Sequence, residues 1–265
     1  MIKEQIHNYI LPILLTIALY LSFAGLGVLS IFILDLIFGF NKIQFDIAKF
    51  VYLLVAIIII NKLTHFKSKD IIINKVKLNQ KRFFTIFILS ILLRICIDPV
   101  FRFSDIVHGF SHSTIQDYPN PEVDFYLLFV FLNVVVLTPI IEELIFRQYA
   151  LGQLLRVKDN IVYAIIISSL MFSTIHLKID QFIVSFIFSI LSFLVYIKYG
   201  IIWSVCFHFI HNTIWLILDT FRNSYWEFIE YLNFGILYWL IWITCAMFLF
   251  FITNKIWFDS DPSYP

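Results

Sequence analysis

Glu142, Glu143 and Arg147 sit in a stretch that otherwise reads as membrane interior. From Phe125 to Leu137, just before them, the only ionisable side chain is Tyr126. A charged group in a bilayer costs about 2.5–3.5 kcal/mol on insertion scales, so each needs a partner and a reason. On a helix Glu142 and Glu143 point about 100° apart. Arg147 follows Glu143 by four residues, the spacing at which side chains meet on one face. Glu143 and Arg147 can therefore neutralise one another, which leaves Glu142 without a partner on its own helix. A desolvated carboxylate so placed is suited to take a proton from water as a general base. Pro139 lacks a backbone N–H and predicts a kink three residues before the pair.

Two later stretches offer partners for Glu142. One ends at His176, after Phe172, Ser173 and Thr174. The other carries Trp203, Ser204, His208, His211 and Asn212. His208 and Asn212 are four apart and share a face; Ser204 lies one turn earlier and His211 lies partly on that face. At about 1.5 Å per residue, Glu142 lies about 21 Å from Arg156, and His176 about 24 Å from Asn160. His208 and Asn212 lie about 12 and 18 Å from Gly200, so all four are compatible with one layer. Hydrogen bonds from His208 and Asn212 suit a developing oxyanion, and a histidine beside Glu142 suits a shared water or a leaving amine. Ser173, Ser204 and Cys206 stay open as nucleophiles, but none has a strong claim, and water attack is the expected route. The zinc signature H-E-x-x-H is absent. Glu142, His176 and His208 nevertheless offer the two-His-one-carboxylate donor set of a zinc site, which stays open beside a site with no cofactor.

Such residues need helices to hold them. The chain of 265 residues is 61% hydrophobic and 14% charged, against about 25% charged in soluble domains. That composition predicts an all-α polytopic membrane helix bundle, a single membrane domain over 1–265 with its catalytic core at about 125–220. Eight spans are expected, at 9–34, 45–61, 83–101, 125–154, 161–177, 179–197, 201–219 and 232–253. The first, with no small-residue cleavage site after it, reads as a retained span. Very short links after 161 imply tightly neighbouring antiparallel helices. Seven basic residues between Lys62 and Arg82 place that segment, and with it both termini, in the cytoplasm. This topology puts twelve Lys and Arg inside and five outside. Within the basic segment, Ile71–Val76 reads as a solvated linker rather than a leaflet-bound stretch. The net charge of +1 gives no electrostatic case for nucleic acid. Cys96, Cys206 and Cys245 lie in apolar runs without metal-ligand spacing and read as buried thiols. Arg94 and Asp98, four apart, read as a structural ion pair, and His108 and His112 as members of a solvated loop.

Three elements together resemble the CPBP family, the CAAX-type prenyl proteases and the bacteriocin-processing or Abi-type membrane proteins. They are Glu142-Glu143 with Arg147, Phe172 with His176, and His208 with Asn212. Pro139 and Trp203 add to the likeness, which covers about 125–220. The resemblance implies an intramembrane endopeptidase of the cell membrane. In it Glu142 with His176 would activate water, His208 and Asn212 would form the oxyanion hole, and Glu143 and Arg147 would support them. Of the metal-dependent and metal-free mechanisms described for the family, the metal-free one is expected. Gln148 departs from the glycine the family often has there, so a larger side chain must be packed. The implied partners are the lipid bilayer and a hydrophobic or membrane-associated peptide or protein, in peptide or bacteriocin maturation or self-immunity. The Ile-, Phe-, Lys- and Asn-rich composition is of a bacterial kind, which argues for a bacterial plasma membrane and against a prenylated substrate. A non-proteolytic scaffold or immunity protein acting on a kinase, transporter or toxin is the competing reading, and a proton-relaying transporter a third.

Overall fold

The computed structural model describes residues 2–39, 42–67, 79–108, 123–157, 160–176, 178–221, 228, 231–232 and 235–258. These are helical throughout, with no strand among the described residues. The helices are α1 (Ile2–Phe38), α2 (Lys42–Lys67), α3 (Gln80–His108), α4 (Val123–Val130), α5 (Thr138–Glu143), α6 (Leu151–Val157), α7 (Ile161–Thr174), α8 (Ile179–Tyr199), α9 (Ile201–Thr220) and α10 (Ile236–Phe258). Two π-helical segments, Phe131–Leu137 and Leu144–Ala150, join α4, α5 and α6 into one continuous span. Each of the eight expected spans overlaps a described helix, the fifth running past the end of α7 at Thr174. Among the described residues, five stretches are long and apolar enough to cross a membrane: Gln80–Phe101, Leu127–Leu155, Ile179–Tyr199, Ile201–Thr220 and Ile236–Phe258. The other three expected spans hold shorter apolar helices, Ile13–Ser22, Ile47–Ile60 and Ile161–Thr174. Most of the basic segment, Ile71–Val76 included, and the loop with His112 lie outside the described residues, whereas His108, expected in that loop, is the last residue of α3.

The chain divides into two compact units. The first, Met1–Ile73 with Gln116–Ile175, holds α1, α2, the composite span and α7. Here α1 packs on α2, on the second π segment and on α6, while α2 packs on both π segments and α7 on the second. Among the described side chains of α1, Thr16, Gly27 and Ile31 are buried, whereas Leu14, Leu15, Leu21 and Leu29 are exposed, as suits a helix with lipid-facing sides. Asn160 caps α7, its side chain accepting from the Tyr163 N–H at 2.9 Å.

The second unit, Asn74–Ile115 with His176–Pro265, holds α3, α8, α9 and α10. Gly200 both ends α8 and opens α9. Its φ of +90° lies where side-chain-bearing residues are strained. Its N–H reaches Tyr196 O at 2.7 Å, and its own carbonyl accepts from the Ser204 N–H at 3.2 Å. The expected very short link is thus one glycine. Small residues let α8 approach α9, where the Ser192 and Ser204 hydroxyls bond at 2.9 Å and Phe188 stacks on Phe207 at 5.2 Å. On α10, the Tyr238 hydroxyl donates to Asp98 at 3.1 Å and the Trp242 indole N–H to Cys96 O at 3.0 Å. Asp98 therefore has a tyrosine partner that its spacing from Arg94 does not suggest.

Candidate active site

In the first unit, the composite span presents Glu142, Glu143 and Arg147 from α5 and the π segment after it. Its backbone departs from α geometry on both sides of the glutamates. The Thr138 N–H bonds to Asn133 O, a five-residue step, and Pro139 follows at once. In an α-helix the proline ring would meet the carbonyl four residues back, so a widened turn before it accommodates the ring without breaking the span. The expected proline irregularity takes this form. Beyond the glutamates the Leu151 N–H takes another five-residue step, to Phe146 O. That carbonyl also accepts from the Ser168 hydroxyl of α7 at 2.9 Å.

Burial of the charges is nearly complete: Glu143 and Arg147 are 0% exposed and Glu142 6%. Arg147 Nε stands 3.0 Å from Glu143 Oε2, the pairing their spacing predicts. The Arg147 guanidinium also lies over the Phe172 ring, 4.6 Å from its centroid, and Phe172 meets Phe146 edge-on at 5.3 Å. Phe172 is thus more than a marker ahead of His176; it is the aromatic floor of the arginine. Glu142 also meets a residue from another helix. The Tyr20 hydroxyl of α1 hydrogen-bonds its carboxylate, and the Tyr20 ring packs against Phe146 at 5.6 Å. Nothing in the sequence singles out Tyr20, one of 13 tyrosines and more than a hundred residues upstream. Gln148, the departure from glycine, is buried on the second π segment.

The second unit holds His176, His208 and Asn212. His176 was expected on the last turn of its helix, but α7 ends at Thr174 and His176 stands two residues beyond. At that end Ser173 and Thr174 turn their hydroxyls back onto Ser169 O at 2.7 Å and Met171 O at 2.8 Å. His208 is 4% exposed, with its ring 4.6 Å from that of Phe188. His211, a further residue near that face, also packs on Phe188, with ring centroids 4.8 Å apart, and Arg94 of α3 lies within electrostatic range. Asn212 is half-buried one turn past His208.

Residues 124–214 match the family of Rce1-like type II CAAX prenyl endopeptidases. That match covers about a third of the 265 residues and likens the segment to the CPBP family of intramembrane proteases. No curated protein and no solved structure matches it. The matched segment contains Glu142, Glu143, Arg147, His176, His208 and Asn212, and omits α1 with Tyr20. The family matched is one of peptidases, and the apolar helices are those of a multi-pass membrane protein.

Proposed function

We propose that the chain is an intramembrane endopeptidase in which Glu142 activates water against a peptide bond. The observation that carries this reading is the division of labour between adjacent glutamates. Glu143 is closed into an ion pair with Arg147, whereas Glu142, the adjacent buried carboxylate, meets the Tyr20 phenol of α1 as well as the field of Arg147. In the proposed reaction Glu142 accepts a proton as the water oxygen attacks the carbonyl carbon, with His176 assisting. His208 and Asn212 donate hydrogen bonds to the tetrahedral oxyanion. The C–N bond then breaks as the proton passes to the leaving amine. Glu143, Arg147 and Phe172 hold the span that carries Glu142.

The reading assigns a membrane-associated peptide or protein as substrate, in a bacterial plasma membrane, with eight spans and both termini in the cytoplasm. Maturation of a peptide or bacteriocin, or self-immunity, is its biological setting. The reaction needs no cofactor in this form. The test compares membrane peptides by mass spectrometry between cells carrying the wild type and Glu142→Gln. Loss of specific products in the variant, with the protein still inserted, supports the peptidase and names its substrate. Full biological activity in Glu142→Gln would support the scaffold reading instead.

A further inference from the structure

We propose that Tyr20 is a positioning residue for Glu142: its phenol donates to the carboxylate and fixes which carboxylate oxygen faces the water. The proposal rests on the peptidase reading for its consequence, and on the contact itself for its geometry. Tyr20 lies one turn after the buried Thr16 on α1, which packs inside the first unit. A phenol at that depth needs an acceptor, because the surrounding lipid supplies none. Its ring is held against Phe146, with centroids 5.6 Å apart and planes tilted by 46°. Phe146 follows Glu142 by four residues, so a ring seated on Phe146 lies along the face of the span that presents Glu142. The hydroxyl then reaches the carboxylate.

The consequence follows from the chemistry of a base. A glutamate side chain has three rotatable bonds, and a general base works only when one oxygen holds the water against the carbonyl carbon. A donor on the other oxygen removes that freedom. Phe146 fixes the ring of Tyr20, Ser168 fixes the carbonyl of Phe146, and Tyr20 in turn fixes Glu142. By this chain of contacts α1, which lies outside the Rce1-like match, becomes part of the active site.

The test uses the full chain in proteoliposomes and the variant Tyr20→Phe, which keeps the ring on Phe146 and removes only the hydroxyl. The infrared carboxyl band of Glu142 is identified as the one lost in Glu142→Gln. It should shift in Tyr20→Phe, and an unmoved band would overturn the contact. The kinetic arm uses a synthetic peptide carrying the cleavage site revealed by Glu142-dependent products in cells. In Tyr20→Phe kcat should fall about 10- to 100-fold with KM unchanged, the range expected for one hydrogen bond to a charged group. A shifted band with unchanged kcat would overturn the positioning role, as would a fall accompanied by a lowered thermal midpoint. If cells show no Glu142-dependent product, the peptidase reading fails and takes the positioning role with it. The band would still decide whether the two residues touch.

Discussion

Arg147 reaches back one turn to Glu143, Nε to Oε2 at 3.0 Å, with both side chains fully removed from solvent. Removing one partner of such a pair leaves an uncompensated charge and costs about 3–5 kcal/mol, far more than the net worth of the pair itself. Arg147→Ala should therefore lower the thermal unfolding midpoint in detergent sharply. Arg147→Met combined with Glu143→Gln should recover much of the loss, because no orphan charge remains. Arg147→Lys should sit between them, since an ammonium keeps the charge but cannot lie flat over Phe172. A double variant no more stable than Arg147→Ala would mean that the ion pair does not dominate this part of the span.

That pair was legible in the sequence because it depends only on helical spacing within one element. The same holds for the helices themselves, whose apolar runs are long, and for the shared face of His208 and Asn212. What was not legible involves contacts between elements far apart in the chain. Tyr20 reaches Glu142 from α1, Phe172 slides under Arg147 from α7, and Tyr238 finds Asp98 from α10. No periodicity within a single helix encodes these. The two widened turns around Pro139 were half legible: a proline predicts trouble, but π geometry is one of several ways to resolve it. His176 shows the limit of boundary reading, since α7 ends two residues before it although an apolar residue, Ile175, comes next.

Gly200 gives a prediction about the scaffold beneath His208. Its φ of +90° suits glycine alone, and there is open space around the position where a Cβ would stand. Gly200→Ala should thus cost backbone strain without a steric clash, about 1–2 kcal/mol. The thermal midpoint should fall modestly. If α8 and α9 relax to relieve the strain, kcat should fall with it, because His208 lies two turns along α9. An alanine variant as stable as the wild type would contradict the strained geometry of the link.

Metal content separates the two mechanisms open to this donor set. Glu142, His176 and His208 have the chemistry of zinc ligands, yet in the proposed route each has a direct role in proton transfer or oxyanion binding. The expected outcome is purified protein without stoichiometric zinc by elemental analysis, and proteolysis that survives chelation. Activity that is lost to a chelator and restored by zinc would reassign all three residues as ligands and make the activated water metal-bound.

His208 and His211 provide the sharpest division between packing and chemistry. Both rings rest on Phe188, at 4.6 and 4.8 Å, so truncating either removes a comparable aromatic contact from α8 and α9. Stability should therefore fall by similar amounts in His208→Ala and His211→Ala. Catalysis should not follow stability. Loss of one oxyanion donor costs about 10²–10³ in kcat, and only His208 and Asn212 hold that role in the proposed site. His208→Ala and Asn212→Ala should show that loss with little change in KM, since the oxyanion exists only in the transition state. His211→Ala should keep kcat within about tenfold of the wild type at a temperature where both histidine variants are folded. The measurement is steady-state cleavage of a peptide bearing the Glu142-dependent site, paired with thermal unfolding of each variant. Equal losses of kcat in the two histidine variants would move the oxyanion donor, or a share of it, to His211.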